Sequence, residues 1–197
     1  KNFEAVFLAV SNLVHHNKAN QDAFRIEKGA IALIVEGLME SHPFALQHVC
    51  TALMELTRNE NKENQDMISV DHGGIGRLLR VLRVHESAAS VQGAGCGAIA
   101  EMTRSNRECQ CIAYRCAGIQ VVLGALRNHP HDKGVQEHGY QALSSLVSHE
   151  ENQDAFCMEY GAIAMVADAL FTERSHPVAL QYVCNVLMEL ARNNNRE

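Results

Sequence analysis

A single spacing constrains this chain more than any other feature. Gly29-Ala30-Ile31 returns as Gly73-Gly74-Ile75, Ala117-Gly118-Ile119 and Gly161-Ala162-Ile163, so the isoleucines stand at 31, 75, 119 and 163, each 44 residues after the last. Asn20-Gln21-Asp22 recurs as Asn64-Gln65-Asp66 and Asn152-Gln153-Asp154, with Glu108-Cys109-Gln110 as a diverged copy. Phe24, Ile68, Ile112 and Phe156 keep the step, as do Leu38, Leu82, Leu126 and Leu170. A fixed period of this length marks a stacked array, in which each unit buries its apolar face only against its neighbours.

Each unit reads as three helices. The first runs from the Asn-Gln-Asp start to the glycine, which ends it by taking a left-handed conformation without a Cβ penalty. The second carries a buried stripe at Ile31, Ile34, Val35 and Leu38. The third, over about 44–58 in the first full unit, carries Ala45, Val49, Ala52, Leu53 and Leu56. Pro43, Pro130 and Pro177 each fall just before an expected third helix, where a missing N–H costs nothing. With no Trp and 5% aromatics the core must be aliphatic, which suits helices better than a β-sandwich.

The pattern Val135-Gln136-x-x-Gly139-x-x-Ala142-Leu143-x-x-Leu146, repeated as Val91-Gln92-x-x-Gly95-x-x-Ala98-Ile99-x-x-Met102, resembles the armadillo repeat. With the Asn-Gln and Gly-Ala-Ile signatures, the likeness covers the whole chain. It implies an all-α, right-handed superhelical solenoid: a partial unit over 1–19 and four units over 20–63, 64–107, 108–151 and 152–197. Leu-Gln-x-Val-Cys-x-x-Leu-Met-Glu-Leu occurs at both 46–56 and 180–190, as duplication of a three-unit block would leave it. Asn195-Arg196-Glu197 repeats the Asn61-Lys62-Glu63 that precedes a new unit, and neither end has the polar character of a capping repeat. A longer array is the expectation.

The resemblance also implies that third helices line a concave groove that binds partner proteins. Steps of four, four and three residues then place Gln47, Thr51, Glu55 and Arg58 on that face in the first full unit, and Gly93, Gly97, Glu101 and Arg104 in the next. Glu137, Gln141, Ser145 and Ser148 follow, then Gln181, Asn185, Glu189 and Arg192, while the partial unit contributes Glu4, Leu8 and Asn12. Importin-α-like grooves carry a ladder of Trp and Asn. Here the Trp position holds Leu8, Thr51, Gly97, Gln141 and Asn185, and only Asn12 matches the Asn position, which argues against a nuclear-transport adaptor. What remains is a Glu and an Arg three residues apart in three units: Glu55/Arg58, Glu101/Arg104 and Glu189/Arg192. They read either as alternating charges offered to an extended peptide or as intrahelical pairs worth about 0.2–0.5 kcal/mol each.

Other sites weigh less. Cys109, Cys111 and Cys116 with His129, His131 or His138 fit no zinc module, and buried thiols are the plainer reading. Cys50, Cys96 and Cys184 share a repeat position with Tyr140 and Phe7, as a core slot would. The glycines at 93, 95 and 97 lie within a helix rather than after a strand, so they are no phosphate loop. His48 and His138 fall near the groove edge, and Arg77, Arg80 and Arg83 form a basic stripe on a second helix. A net charge of −6 speaks against nucleic acid. No apolar run is long enough for a bilayer, and no signal peptide is visible. Seven cysteines without framework spacing suggest a reducing, cytoplasmic or nuclear setting. The expectation is a non-enzymatic scaffold without cofactor or metal. Its partner is a protein or an extended peptide of mixed or basic charge. Self-association through repeat ends and nuclear transport stand as alternatives.

Overall fold

A computed structural model describes residues 3–40, 42–171 and 177–193. Tail residues 194–197, which carry the likeness to the start of a new unit, lie outside the described residues. Among the described residues every regular element is helical. One third-type helix, α1 (Phe3–Val14), is followed by four triplets. The first is α2 (Lys18–Ile26), α3 (Ala30–Glu36) and α4 (Pro43–Thr57). The second is α5 (Lys62–Asp66), α6 (Gly74–Val84) and α7 (Ala89–Thr103). The third is α8 (Arg107–Arg115), α9 (Gly118–Asn128) and α10 (Lys133–Leu146), and the fourth α11 (Glu150–Met158), α12 (Ala162–Ala169) and α13 (Pro177–Asn193). No single helix among them is long and apolar enough to cross a membrane.

Third helices stack in register, α1 on α4, α4 on α7, α7 on α10 and α10 on α13, and build one continuous wall. Behind it runs one aliphatic core. Ile31, Ile75 and Ile119 are buried at the seams where α3 meets the turn after α5 and α6 meets α8. Ile163 stands 54% exposed, because no described residue stacks on α12 from that side.

Local chemistry sets each boundary. Asn17, Asn61 and Asn106 cap the first helices by accepting from the amides of Asn20, Asn64 and Cys109. The first helices therefore begin ahead of the Asn-Gln-Asp run at which the sequence placed their start. Pro43 opens α4 and Pro177 opens α13, but Pro130 lies in the turn before α10, which Asp132 caps instead. The period also breaks. Glu55 and Glu101 are 46 residues apart, whereas Glu101, Ser145 and Glu189 step by 44. Leu38 stands eleven residues before Val49, but the matching leucines stand thirteen before Gly95, Gly139 and Val183. The shortened link ends α3 early, in the 3-10 turn Gly37–Met39. In the second triplet the first helix runs on as a π-turn, Met67–Asp71, and the third triplet has one residue fewer than the other three between its Gln and its left-handed residue.

The residue between first and second helix is left-handed in all four triplets: Gly29 (φ 83°), Gly73 (φ 65°), Ala117 (φ 54°) and Gly161 (φ 73°). Ala117 alone carries a Cβ there, a conformation that costs roughly 1–2 kcal/mol for an L-residue. Ala117→Gly should therefore stabilise the chain by about 0.5–1 kcal/mol, read as a rise in thermal midpoint, while Gly73→Ala should lower it by a similar amount.

Candidate functional site

The wall of third helices gathers most of the residues placed there by spacing, but it uses them unequally. Asn12, Gln181 and Arg192 are exposed, and Gln47, Thr51, Arg58, Ser145, Asn185 and Glu189 are half-buried. Thr51 Oγ1 donates to the Gln47 carbonyl one turn back. Glu55 and Glu101 are 1% and 7% exposed. Each accepts from the arginine three residues on, Arg58 and Arg104, at 2.8 Å. Each also reaches the neighbouring unit: the His16 amide donates to Glu55 Oε2 at 3.3 Å, and Gln141 Nε2 donates to Glu101 Oε1 at 2.8 Å. At these two pairs the glutamate is spent on stitching adjacent units, and at the second the buried Gln141 amide is spent with it, which leaves Arg58 and Arg104 as the partly exposed members. In the third pair Glu189 accepts from Arg192 at 2.8 Å, and the arginine is 73% exposed.

Between α7, α10 and α13 the wall opens into a polar recess of about 190 Å³. Arg104, Gln141, Ser145, Ser148 and Asn185 line it, together with Ser144 and Tyr182. Burial lowers the proton affinity of Arg104, but the Glu101 carboxylate and the Tyr182 hydroxyl outweigh it and hold the guanidinium more firmly charged than usual. The spacing rule missed Tyr182 and Ser144, because each reaches the recess from the flank of its helix. Gly93 and Gly97 lie outside the recess and are buried. A Cβ on Gly93 would stand 3.4 Å from the Gly134 backbone, and one on Gly97 only 2.6 Å from Met54 Sδ. These glycines bring the third helices together and narrow the face. His138 Nδ1 lies 3.1 Å from the Gly93 carbonyl, and His48 packs edge-on against Phe44. Arg77, Arg80 and Arg83 are exposed along α6, away from the wall, and Arg83 donates to the Cys116 carbonyl.

The repeated Gln residues form a structural set that spacing did not explain. Gln65 Nε2 donates to the carbonyls of Glu101 and Arg104, Gln110 Nε2 to those of Thr103 and Ser145, and Gln153 Nε2 to those of Val147 and Glu189. They satisfy carbonyls that third helices leave without partners at their C-termini. Gln92 and Gln136 do the same for second helices, each donating to two carbonyls at the end of α6 or α9.

Cys50 and Cys96 are buried together, and burial pushes both thiols up to about 12; Cys109 is pushed up to about 11 by the same cause. Cys184, at the matching position of α13, is exposed. The core reading of that slot therefore holds for Cys50, Cys96, Phe7 and Tyr140, and fails for Cys184, against which no described unit stacks. For a group raised on folding, stability is complete below the unfolded value, here 9.0, and falls as pH rises toward the folded value. Denaturant midpoints should thus show no contribution from these thiols below pH 9 and a progressive loss above it. Native alkylation should mark Cys157 and Cys184 and spare Cys50, Cys96 and Cys109 until the chain unfolds.

No model of a known protein family matches the sequence. Over 145 residues, 68% of this chain, it is 32% identical to Protein aardvark of Dictyostelium discoideum, of which the match spans 19%. A solved chain from the interaction between cadherin and beta-catenin superposes with a TM-score of 0.78 at 19% identity, over 96% of this chain and 40% of that one. A designed armadillo repeat protein in complex with the peptide (KR)4 gives 0.76 at 16% identity, over 95% and 74%. With the stacked triplets and the common wall, these likenesses define the class: the chain has the armadillo-repeat fold, an α-solenoid of stacked three-helix units.

Proposed function

We propose that this chain is a recognition module that seats an extended peptide or a partner's extended segment along its wall of third helices, as a scaffolding or regulatory part of a larger protein. The recess between α7, α10 and α13 carries the reading. It presents a fixed cation, Arg104, beside the amide of Asn185 and the hydroxyls of Ser145 and Ser148, with the buried Gln141, whose Nε2 is held by Glu101, behind them. Such a row can hold a peptide backbone through its carbonyls and amides and meet an acidic side chain with arginine. Glu189, beyond the recess, offers the opposite charge, so the favoured partner is mixed or basic rather than uniformly acidic. The amides and hydroxyls that line the recess support reading the wall as a binding surface. Cytoplasmic or nuclear placement follows the same reading, supported by seven free cysteines.

The test is a titration of extended peptides of alternating charge against the native chain and against Gln181→Ala/Asn185→Ala. Both side chains lie on the outer part of α13, so helicity and thermal midpoint should not change. At least a tenfold loss of affinity is expected. Equal binding by both proteins would sink the groove reading. Nuclear transport is disfavoured, since Asn12 alone fits that ladder, and tight binding of a basic nuclear signal would revive it. Self-association has its own supporting observation: Tyr160, Ile163, Phe171 and Met188 stand 99%, 54%, 85% and 56% exposed in the last triplet. Light scattering that gives a monomer at all concentrations would dismiss it.

A further inference from the structure

The start of α11 departs from the rule that governs the other first helices. Asn17, Asn61 and Asn106 each cap a first helix through the side chain. In the fourth triplet the flanking residue is His149, and its side chain caps nothing. The imidazole turns instead toward α8. Its Nε2 lies 3.1 Å from Cys111 Sγ, and its Nδ1 lies 3.8 Å from Glu151 Oε2. His149 is only 2% exposed, yet Nδ1 is buried without a hydrogen-bond partner. A buried polar atom in that state costs roughly 1–3 kcal/mol, so its retention needs a reason. Ligand atoms from Cys111, His149 and Glu151 all lie within 4.8 Å of one another.

We propose that Cys111, His149 and Glu151 form a binding site for a divalent zinc-like cation that clasps the third triplet to the fourth. A thiolate, an imidazole and a carboxylate are the three side-chain types that zinc accepts, and three protein ligands leave a fourth position for water. Nε2 is the nitrogen that faces Cys111 and would bind the metal beside the thiolate, and Glu151, which stands on the Nδ1 side of the ring, must swing round to complete the set. Glu151 is 56% exposed in the first turn of α11 and free to swing, while the buried His149 is already fixed. On binding, Cys111 gives its thiol proton to solvent as the sulfur–metal bond forms. The cysteine pattern in the sequence pointed elsewhere. Cys109 Sγ lies against the Gln65 carbonyl, and His129 and His138 face the carbonyls of Glu86 and Gly93, so Cys111 finds its partner one unit further on. An open position and an exposed third ligand fit a site that fills and empties with metal supply.

The experiment is a cobalt titration of the full chain after chelation, followed by zinc competition. The native chain should take up a single cobalt ion and develop a thiolate-to-cobalt charge-transfer band that zinc abolishes. Cys111→Ser should lose the band, while Cys157→Ser/Cys184→Ser should keep it, which separates the site from adventitious binding at exposed thiols. His149→Asn should also lose it but keep its helicity, because asparagine restores the cap found in the other triplets. Zinc should raise the thermal midpoint of the native chain and leave that of His149→Asn unchanged. No band in the native chain, or a band that persists in Cys111→Ser, overturns the proposal.

Discussion

Gln110→Leu is expected to destabilise the chain by about 3 kcal/mol, the largest effect of any single polar substitution here. Gln110 is 6% exposed, and its Nε2 donates to the carbonyls of Thr103 and Ser145 and to Ser148 Oγ, at 3.0, 3.0 and 2.9 Å. Leucine has similar volume, so packing changes little. What is lost is a donor shared between carbonyls at the ends of two third helices in different triplets; the Asn106 amide still reaches the Thr103 carbonyl and Ser148 Oγ that of Ser145. Each of the three hydrogen bonds removed contributes roughly 0.5–1.5 kcal/mol net, which sums to about 3 kcal/mol. For a chain of this size the thermal midpoint should fall by roughly 6–12 °C. Gln120→Leu, on the exposed face of α9, is the control and should stay within about 0.5 kcal/mol. If the two variants melt together, the Gln set is not what joins the units.

Gly95→Val should cost about 3 kcal/mol by the opposite route, overfilling. A Cβ on Gly95 would lie 2.4 Å from Leu82 Cδ2 and 3.2 Å from Leu82 Cγ, and Leu82 is 1% exposed. Extra carbons in a close-packed interior force side chains off rotamer or push helices apart, typically at 1–3 kcal/mol. Valine adds its branches where even one carbon is excluded. The first triplet shows the same space filled the other way: Val49 stands at the position of Gly95, and Gly37 makes room for it, since a Cβ there would lie 2.9 Å from Val49 Cγ2. Chemical denaturation of Gly95→Val against Gly124→Val, at a glycine with open space around it, measures the difference. Equal losses would mean that helix propensity and not packing sets the cost.

The two substitutions also show what a period conceals. Gln110 and Gly95 both belong to runs that spacing brought out, the diverged Asn-Gln copy and the Val-Gln-x-x-Gly pattern. Their repetition was legible, but their work was not. A Gln three residues past a helix start suggests only a polar residue on a helix. That its amide crosses to a carbonyl 35 residues away in sequence depends on how the triplets stack. The groove residues divide in the same manner. Steps of four, four and three put Arg104, Gln141, Ser145 and Asn185 on one wall. They also put Glu55 and Glu101 there as if open to a ligand, because a one-dimensional stripe has no depth.

The sequence by itself determined the number of helices per triplet, their order, the left-handed break before each second helix and the aliphatic core, since these rest on 3.6-residue periodicity and on the backbone freedom of glycine. Only the tertiary structure decided which polar groups are consumed. Neighbouring units approach at angles and distances that no local pattern encodes, and a carboxylate within hydrogen-bond reach of a neighbour's amide is stitching, while the same carboxylate a turn further out stays open to solvent. The pairing of Cys111 with His149 across two triplets, 38 residues apart, belongs to that second class.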